Sequence, residues 1–125
     1  MASRVVHFEI SSADPEKAGR FYTEAFGWQI QKWDGPIEYW LIKTGEGGPG
    51  IDGGIMRKDG PFDRVINTIN VDDVAAMSAR VQELGGSLVG DRTPIPDVGD
   101  LQYARDPDGN LFGMLQPVMA QAATT

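Results

Sequence analysis

At 125 residues, with 41% hydrophobic and 23% charged residues, the chain has the length and composition of one globular domain with a real core. Its net charge of −7 argues against nucleic acid, whose phosphates call for Lys and Arg stripes, and against anionic membrane surfaces. The absence of cysteine removes disulfides, thiolate metal sites and cysteine nucleophiles, and no apolar run reaches the length of a membrane span, so a soluble, cytoplasmic protein is expected.

In chain order, Arg4 to Ile10 reads as a strand rich in β-formers. Asp14 then suits a helix N-cap and Pro15 the first helical position, where its missing N–H costs nothing. Ala18, Phe21, Tyr22 and Ala25 recur at i, i+3, i+4 and i+7, which predicts one inward apolar face, with Gly27 as a left-handed cap. Trp28 to Trp33 and Glu38 to Thr44 read as a strand pair, Gly45 to Gly50 as a turn, and Ile51 to Arg57 as a fourth strand. Lys58 to Pro61 is a boundary. Beyond it, Arg64 to Val71 is a strand, and Asp72 or Asp73 caps a helix with the face Val74, Met77, Val81 and Leu84, closed by Gly85-Gly86. Ser87 to Ile95, Asp100 to Asp106 and Leu111 to Gln116 are the last strands, with a Pro- and Gly-bearing turn over Asp106-Pro107-Asp108-Gly109-Asn110.

The order is strand, helix, three strands, written twice. A shift of 59 carries Val6-His7-Phe8-Glu9-Ile10 onto Val65-Ile66-Asn67-Thr68-Ile69, Asp14 onto Asp73, Gly27 onto Gly86 and Gly54-Ile55-Met56 onto Gly113-Met114-Leu115. The reading is one domain over 1–120, with modules at about 4–57 and 63–117, and a flexible tail at 118–125. The repeat singles out His7, the only histidine, whose counterpart is Ile66.

The duplicated βαβββ order, the histidine in the first strand and Asp106-Pro107-Asp108-Gly109-Asn110 before the last strand resemble the vicinal oxygen chelate superfamily of glyoxalases, bleomycin-resistance proteins and extradiol dioxygenases. Phe21-Tyr22 before Phe26-Gly27-Trp28, and Val71-Asp72-Asp73-Val74 with Leu84-Gly85-Gly86, add to the resemblance, which spans about residues 4–117. It implies an α+β fold in which the two modules form an open, eight-stranded half-barrel around a pocket, and a homodimer. In metal-dependent members, a histidine in the first strand and a glutamate in the last strand of each module hold a divalent metal that acts as Lewis acid. Carried over, those positions are His7, Ile66, Gly54 and Gly113. Only His7 can ligate, and a catalytic divalent site normally takes three protein ligands, so no family-type metal and no cofactor is expected.

Strand alternation puts His7 and Glu9 on one face, with Phe8 and Ile10 on the other. His7 titrates near neutral pH and is the candidate general base, with Glu9 to orient it or share the proton. The plain alternative is the remnant of a ligand site, with His7 hydrogen-bonded to Glu9 or a tyrosine. Trp28, Trp33, Tyr39, Trp40 and Tyr103 lie on strands that would wall a cavity, and Thr68 faces it by the repeat; the alternative for each aromatic is packing beneath a helix or at a dimer interface. Gly53, Gly54 and Gly113 leave room on the strands for a ligand or for close packing. The favoured function is metal-free binding of a small apolar or aromatic molecule through Trp28, Tyr39, Trp40, Thr68 and Tyr103. The alternatives are an enzyme of lyase, isomerase or dioxygenase type using His7 and Glu9 or a degraded metal site, and an interaction domain without ligand.

Overall fold

The computed structural model describes residues 3–118. Of the tail expected at 118–125, all but Val118 lies outside the described residues. The chain divides into two compact units, Val6–Ile66 and the described chain from residue 67 onward together with residues 3–5.

The first unit is built from β1 (Val5–Ser12), α1 (Pro15–Phe26), β2 (Gln29–Lys32), β3 (Trp40–Lys43) and β4 (Asp52–Arg57). Its strands lie in the order β2-β3-β4-β1, with β1 and β4 parallel and the other pairs antiparallel. A short 3-10 turn over Gly60–Phe62, which the sequence did not suggest, leads out of it. Asp14 caps α1 by accepting the Lys17 N–H at 3.2 Å, and Gly27 ends it with φ 76°. Both ends are the ones the sequence marks.

The inward face of α1 differs from the expected one. Pro15 and Gly19 are buried, while Phe21 and Phe26 are 59% and 64% exposed. A Cβ on Gly19 would sit 3.1 Å from Ile30, so the glycine lets the helix lie close on β2 and sets its rotation. The exposed rings of Phe21 and Phe26 gather with Tyr22 and Trp28, at centroid distances from 4.9 to 6.3 Å. Beneath α1, Trp40, Ile42 and Ile55 form the core, with Phe8, Ile10, Ala18, Trp28 and Ile30 against them.

The second unit repeats the plan with β5 (Ile66–Asn70), α2 (Val74–Glu83), β6 (Ser87–Ile95), β7 (Gly99–Arg105) and β8 (Leu111–Pro117), in the order β5-β8-β7-β6. Asp73 is the cap, accepting from Ala76 N–H at 3.0 Å. Val74 and Ser78 are buried under α2, whereas Leu84, expected inward, is 62% exposed just past the helix end. The core is Val71, Val74, Ala104 and Met114. β6 carries a register shift between Val89 and Thr93, and beside it Gln102, buried on β7, donates to the Val89 and Gly90 carbonyls.

The repeat read from the sequence is a repeat of register. Glu9 pairs with Gly54 and Gly54 with Leu41; in the second unit Thr68 pairs with Gly113 and Gly113 with Tyr103. One residue on, Ile10, Ile55 and Trp40 make the helix-facing row, and Ile69, Met114 and Gln102 its counterpart. The fold is α+β, with eight strands and two α-helices among the described residues. No helix among the described residues is long and apolar enough to cross a membrane.

Candidate functional site

The face of the first unit turned away from α1 carries a linked set of polar contacts. Because side chains alternate along β1, His7 and Glu9 project together while Phe8 and Ile10 enter the core. Tyr39 stands one residue before Trp40 and so points opposite to it. The loop that presents Tyr39 is closed by the Trp33 N–H donating to the Tyr39 carbonyl at 2.7 Å.

Tyr39 joins the two polar groups of β1. Its hydroxyl lies 2.7 Å from His7 Nε2 and donates to Glu9 Oε2 at 3.0 Å. Glu9 is 7% exposed, and a carboxylate so enclosed requires such a donor. The His7 and Tyr39 rings stack at 6.3 Å with 19° between planes, and Trp33 meets Tyr39 edge-on at 6.4 Å and 81°. Asp52 sits opposite His7 in the β1–β4 pairing. Burial is the strongest influence on His7 and pushes its imidazole below the ordinary value of 6.5; the carboxylates of Glu9 and Asp52 push the other way and do not prevail. His7 is therefore neutral at pH 7.

Gly54 makes room for this set. A Cβ at Gly54 would collide with the Tyr39 hydroxyl and ring. The glycine that the sequence reading left between ligand space and close packing is thus the floor under a phenol. In the second unit, Thr68 and Tyr103 flank Gly113: a Cβ there would lie 3.3 Å from Thr68 Oγ1 and 3.4 Å from Tyr103 Cε1. Thr68 is buried and Tyr103 half-buried.

Of the residues expected at the site, His7, Glu9 and Tyr39 come together in one unit, and Thr68 and Tyr103 in the other. Trp28 and Trp40 do not join them. Trp40 is 6% exposed in the core beneath α1, and Trp28 packs there too. Tyr39 and Trp40 cannot both face one side of a strand, and the pairing of Trp40 with Ile55 settles which of them turns to the helix. A groove of ≈ 270 Å³ lined by Gly19, Arg20, Thr23, Ile30 and Trp40 lies along α1, among residues other than His7, Glu9 and Tyr39. Sequence reasoning missed Asp52, whose place beside His7 follows from the register of β1 against β4; it offered a tyrosine as a partner of His7, and the structure shows that this tyrosine is Tyr39 and that it bridges to Glu9.

The donor set does not fit a divalent metal of the superfamily type. Ile66 and Gly113 offer no donor, and Gly54 lies under the Tyr39 ring, whose hydroxyl engages His7 Nε2. No group of three His, Asp or Glu side chains suited to a metal occurs among the described residues.

Two βαβββ modules in matched register, with a histidine on the first strand, define the class: a vicinal oxygen chelate fold. A family model described as a glyoxalase-like domain matches residues 7–115. A glyoxylase-like domain-containing protein of Didymella fabae is 32% identical over 108 residues, 82% of this chain and 84% of its own. The chain belongs to the glyoxalase-like domain family. Among solved structures, methylmalonyl-CoA epimerase from Mycobacterium tuberculosis is similar with TM-score 0.69 and 20% identity, over 95% of this chain and 91% of that one. A hypothetical protein from Bacillus halodurans C-125 reaches 0.70 at 12% identity, over 92% and 94%. At these identities the structural likeness speaks to fold alone.

Proposed function

We propose that the domain binds a small, largely apolar or aromatic molecule against the face that carries His7, Tyr39 and Trp33, without a family-type metal. The observation behind this reading is the Glu9–Tyr39–His7 hydrogen-bond chain set beside the Trp33 ring. A few convergent polar groups against aromatic surface are the usual make-up of a small-molecule site. Tyr39 links the imidazole of His7 to the carboxylate of Glu9 and so holds both side chains in place.

Tryptophan fluorescence tests it well, because the chain's three tryptophans divide between two faces. Trp28 and Trp40 pack beneath α1, and Trp33 sits against Tyr39. Titration with small aromatics should quench emission in the parent protein and leave Trp33→Phe unresponsive. A response that survives in Trp33→Phe places binding elsewhere and sinks the proposal.

A second reading has one observation in its favour. A neutral, buried imidazole linked through a phenol to a carboxylate is a workable general base, and some of the similar structures are epimerases, whose chemistry moves a proton at carbon. Deuterium wash-in at the acidic C–H of methylmalonyl-CoA, followed by NMR, distinguishes the readings. Exchange that disappears in His7→Ala would establish turnover; no exchange removes the reading for that substrate.

A further inference from the structure

The direction of the hydrogen bonds on the His7 face identifies which atom is left to meet a ligand. Tyr39 has one hydroxyl proton, and it is directed at Glu9 Oε2. The 2.7 Å contact between Tyr39 Oη and His7 Nε2 therefore needs its proton from the imidazole. Burial keeps that imidazole neutral at pH 7, so the proton on Nε2 is the only one it has. The lone pair is then on Nδ1, which has no hydrogen-bond partner among the described residues. The buried carboxylate of Glu9 takes the Tyr39 proton and thereby fixes which imidazole nitrogen must donate.

We infer that His7 Nδ1 is the acceptor atom of this face, and that its occupant is an aromatic molecule bearing a neutral O–H or N–H donor, of the phenol class. The inference rests on the binding reading above and deepens it. Carboxylates are disfavoured because Glu9 and Asp52 are the charged groups nearest the ring and both are acidic. A purely apolar ring would leave Nδ1 without a donor, at the cost that any buried acceptor incurs. Tyr39 is the positioning residue: it touches the imidazole and holds the proton on Nε2.

The single histidine makes the test clean, since protein labelled with ¹⁵N-histidine shows one imidazole. At pH 7.5 the spectrum should show a protonated Nε2 and an unprotonated Nδ1. Phenol should shift Nδ1 and bind about fivefold more tightly than anisole, which has the ring without the donor. Benzoate should bind more weakly than phenol. In Tyr39→Phe the two tautomers should mix and the preference for phenol should shrink; in His7→Ala the preference should vanish while anisole affinity is kept. A protonated Nδ1 overturns the inference, and so does equal binding of phenol and anisole, which would leave the binding reading standing. If neither molecule binds, the binding reading fails and this inference with it.

Discussion

The two units share a register and differ in what they hang on it. In the row facing away from the helices, Glu9, Gly54 and Leu41 of the first unit answer to Thr68, Gly113 and Tyr103 of the second. In the helix-facing row, Ile10, Ile55 and Trp40 answer to Ile69, Met114 and Gln102. His7 has the aliphatic Ile66 as its counterpart. The backbone pattern is held by the shared demand to bury one face beneath a helix, since a slip of one residue would turn every apolar side chain outward. The other face is buried as well, at Ile66, Thr68 and Glu9, but with fewer apolar side chains to fix it. One copy carries a buried carboxylate, a phenol and an imidazole there; the other carries a threonine and a tyrosine around a glycine.

The comparison breaks most visibly at the core. Ile55 is 0% exposed and Met114 1%, at matched positions under α1 and α2. Truncating either to Ala should cost about 2–5 kcal/mol, read by urea unfolding. Similar costs would confirm that the two helix-facing layers are equivalent supports. A much smaller loss for Met114→Ala would show that the second unit relaxes around the cavity and that the symmetry is one of register only.

The glycine pair sharpens the contrast on the other face. Gly54→Ala puts a Cβ where the Tyr39 ring lies, so the ring must swing away and give up its bonds to His7 and Glu9. The expected cost is about 1–3 kcal/mol, for overpacking and for a buried carboxylate losing the Tyr39 hydroxyl as a donor, one of its contacts. Gly113→Ala meets atoms at 3.3 to 3.5 Å, a tight contact that small side-chain adjustments relieve. Its cost should stay below about 1 kcal/mol, and the His7 resonances should not move. Equal costs for the pair would mean that Tyr39 is not seated over Gly54.

Much of this was legible in the sequence because it is local or periodic. Asp14 and Gly27 are caps on sight, the second helix cap is narrowed to Asp72 or Asp73, and the 59-residue shift reports strand register directly. What was not legible depends on how one element sits on another. The spacing of Phe21 fits the inward stripe of α1, but Gly19 against Ile30 fixes the rotation and leaves that ring at the flank. Tyr39 and Trp40 are adjacent, so only one can face the site, and the choice is made by Ile55 on another strand. Asp52 is 45 residues from His7 and comes beside it only through the β1–β4 pairing. Each is a parity or rotation set by a long-range contact, which a single sequence does not display.

The smallest expected effect is electrostatic, and it belongs to one unit only. The folded-state pKa of His7 is lowered from 6.5, chiefly by burial, so between the lowered value and 6.5 the unfolded chain holds more protons than the native one. Stability must then rise with pH across that window. Taken downward, the His7 contribution is fully present above 6.5 and is lost as acid drives the imidazole to charge, which the unfolded state accommodates better. Most carboxylates titrate lower, near about 4, so the upper part of the window reports His7 with little interference. Replacing His7 by Ile, the residue its counterpart carries, should flatten the melting temperature across mildly acidic pH while the parent declines. Should both proteins decline alike, the imidazole is not buried as the Tyr39 contact requires. Should the parent gain stability as pH falls, Glu9 and Asp52 outweigh burial, and the first unit would be storing a charged histidine rather than a neutral one.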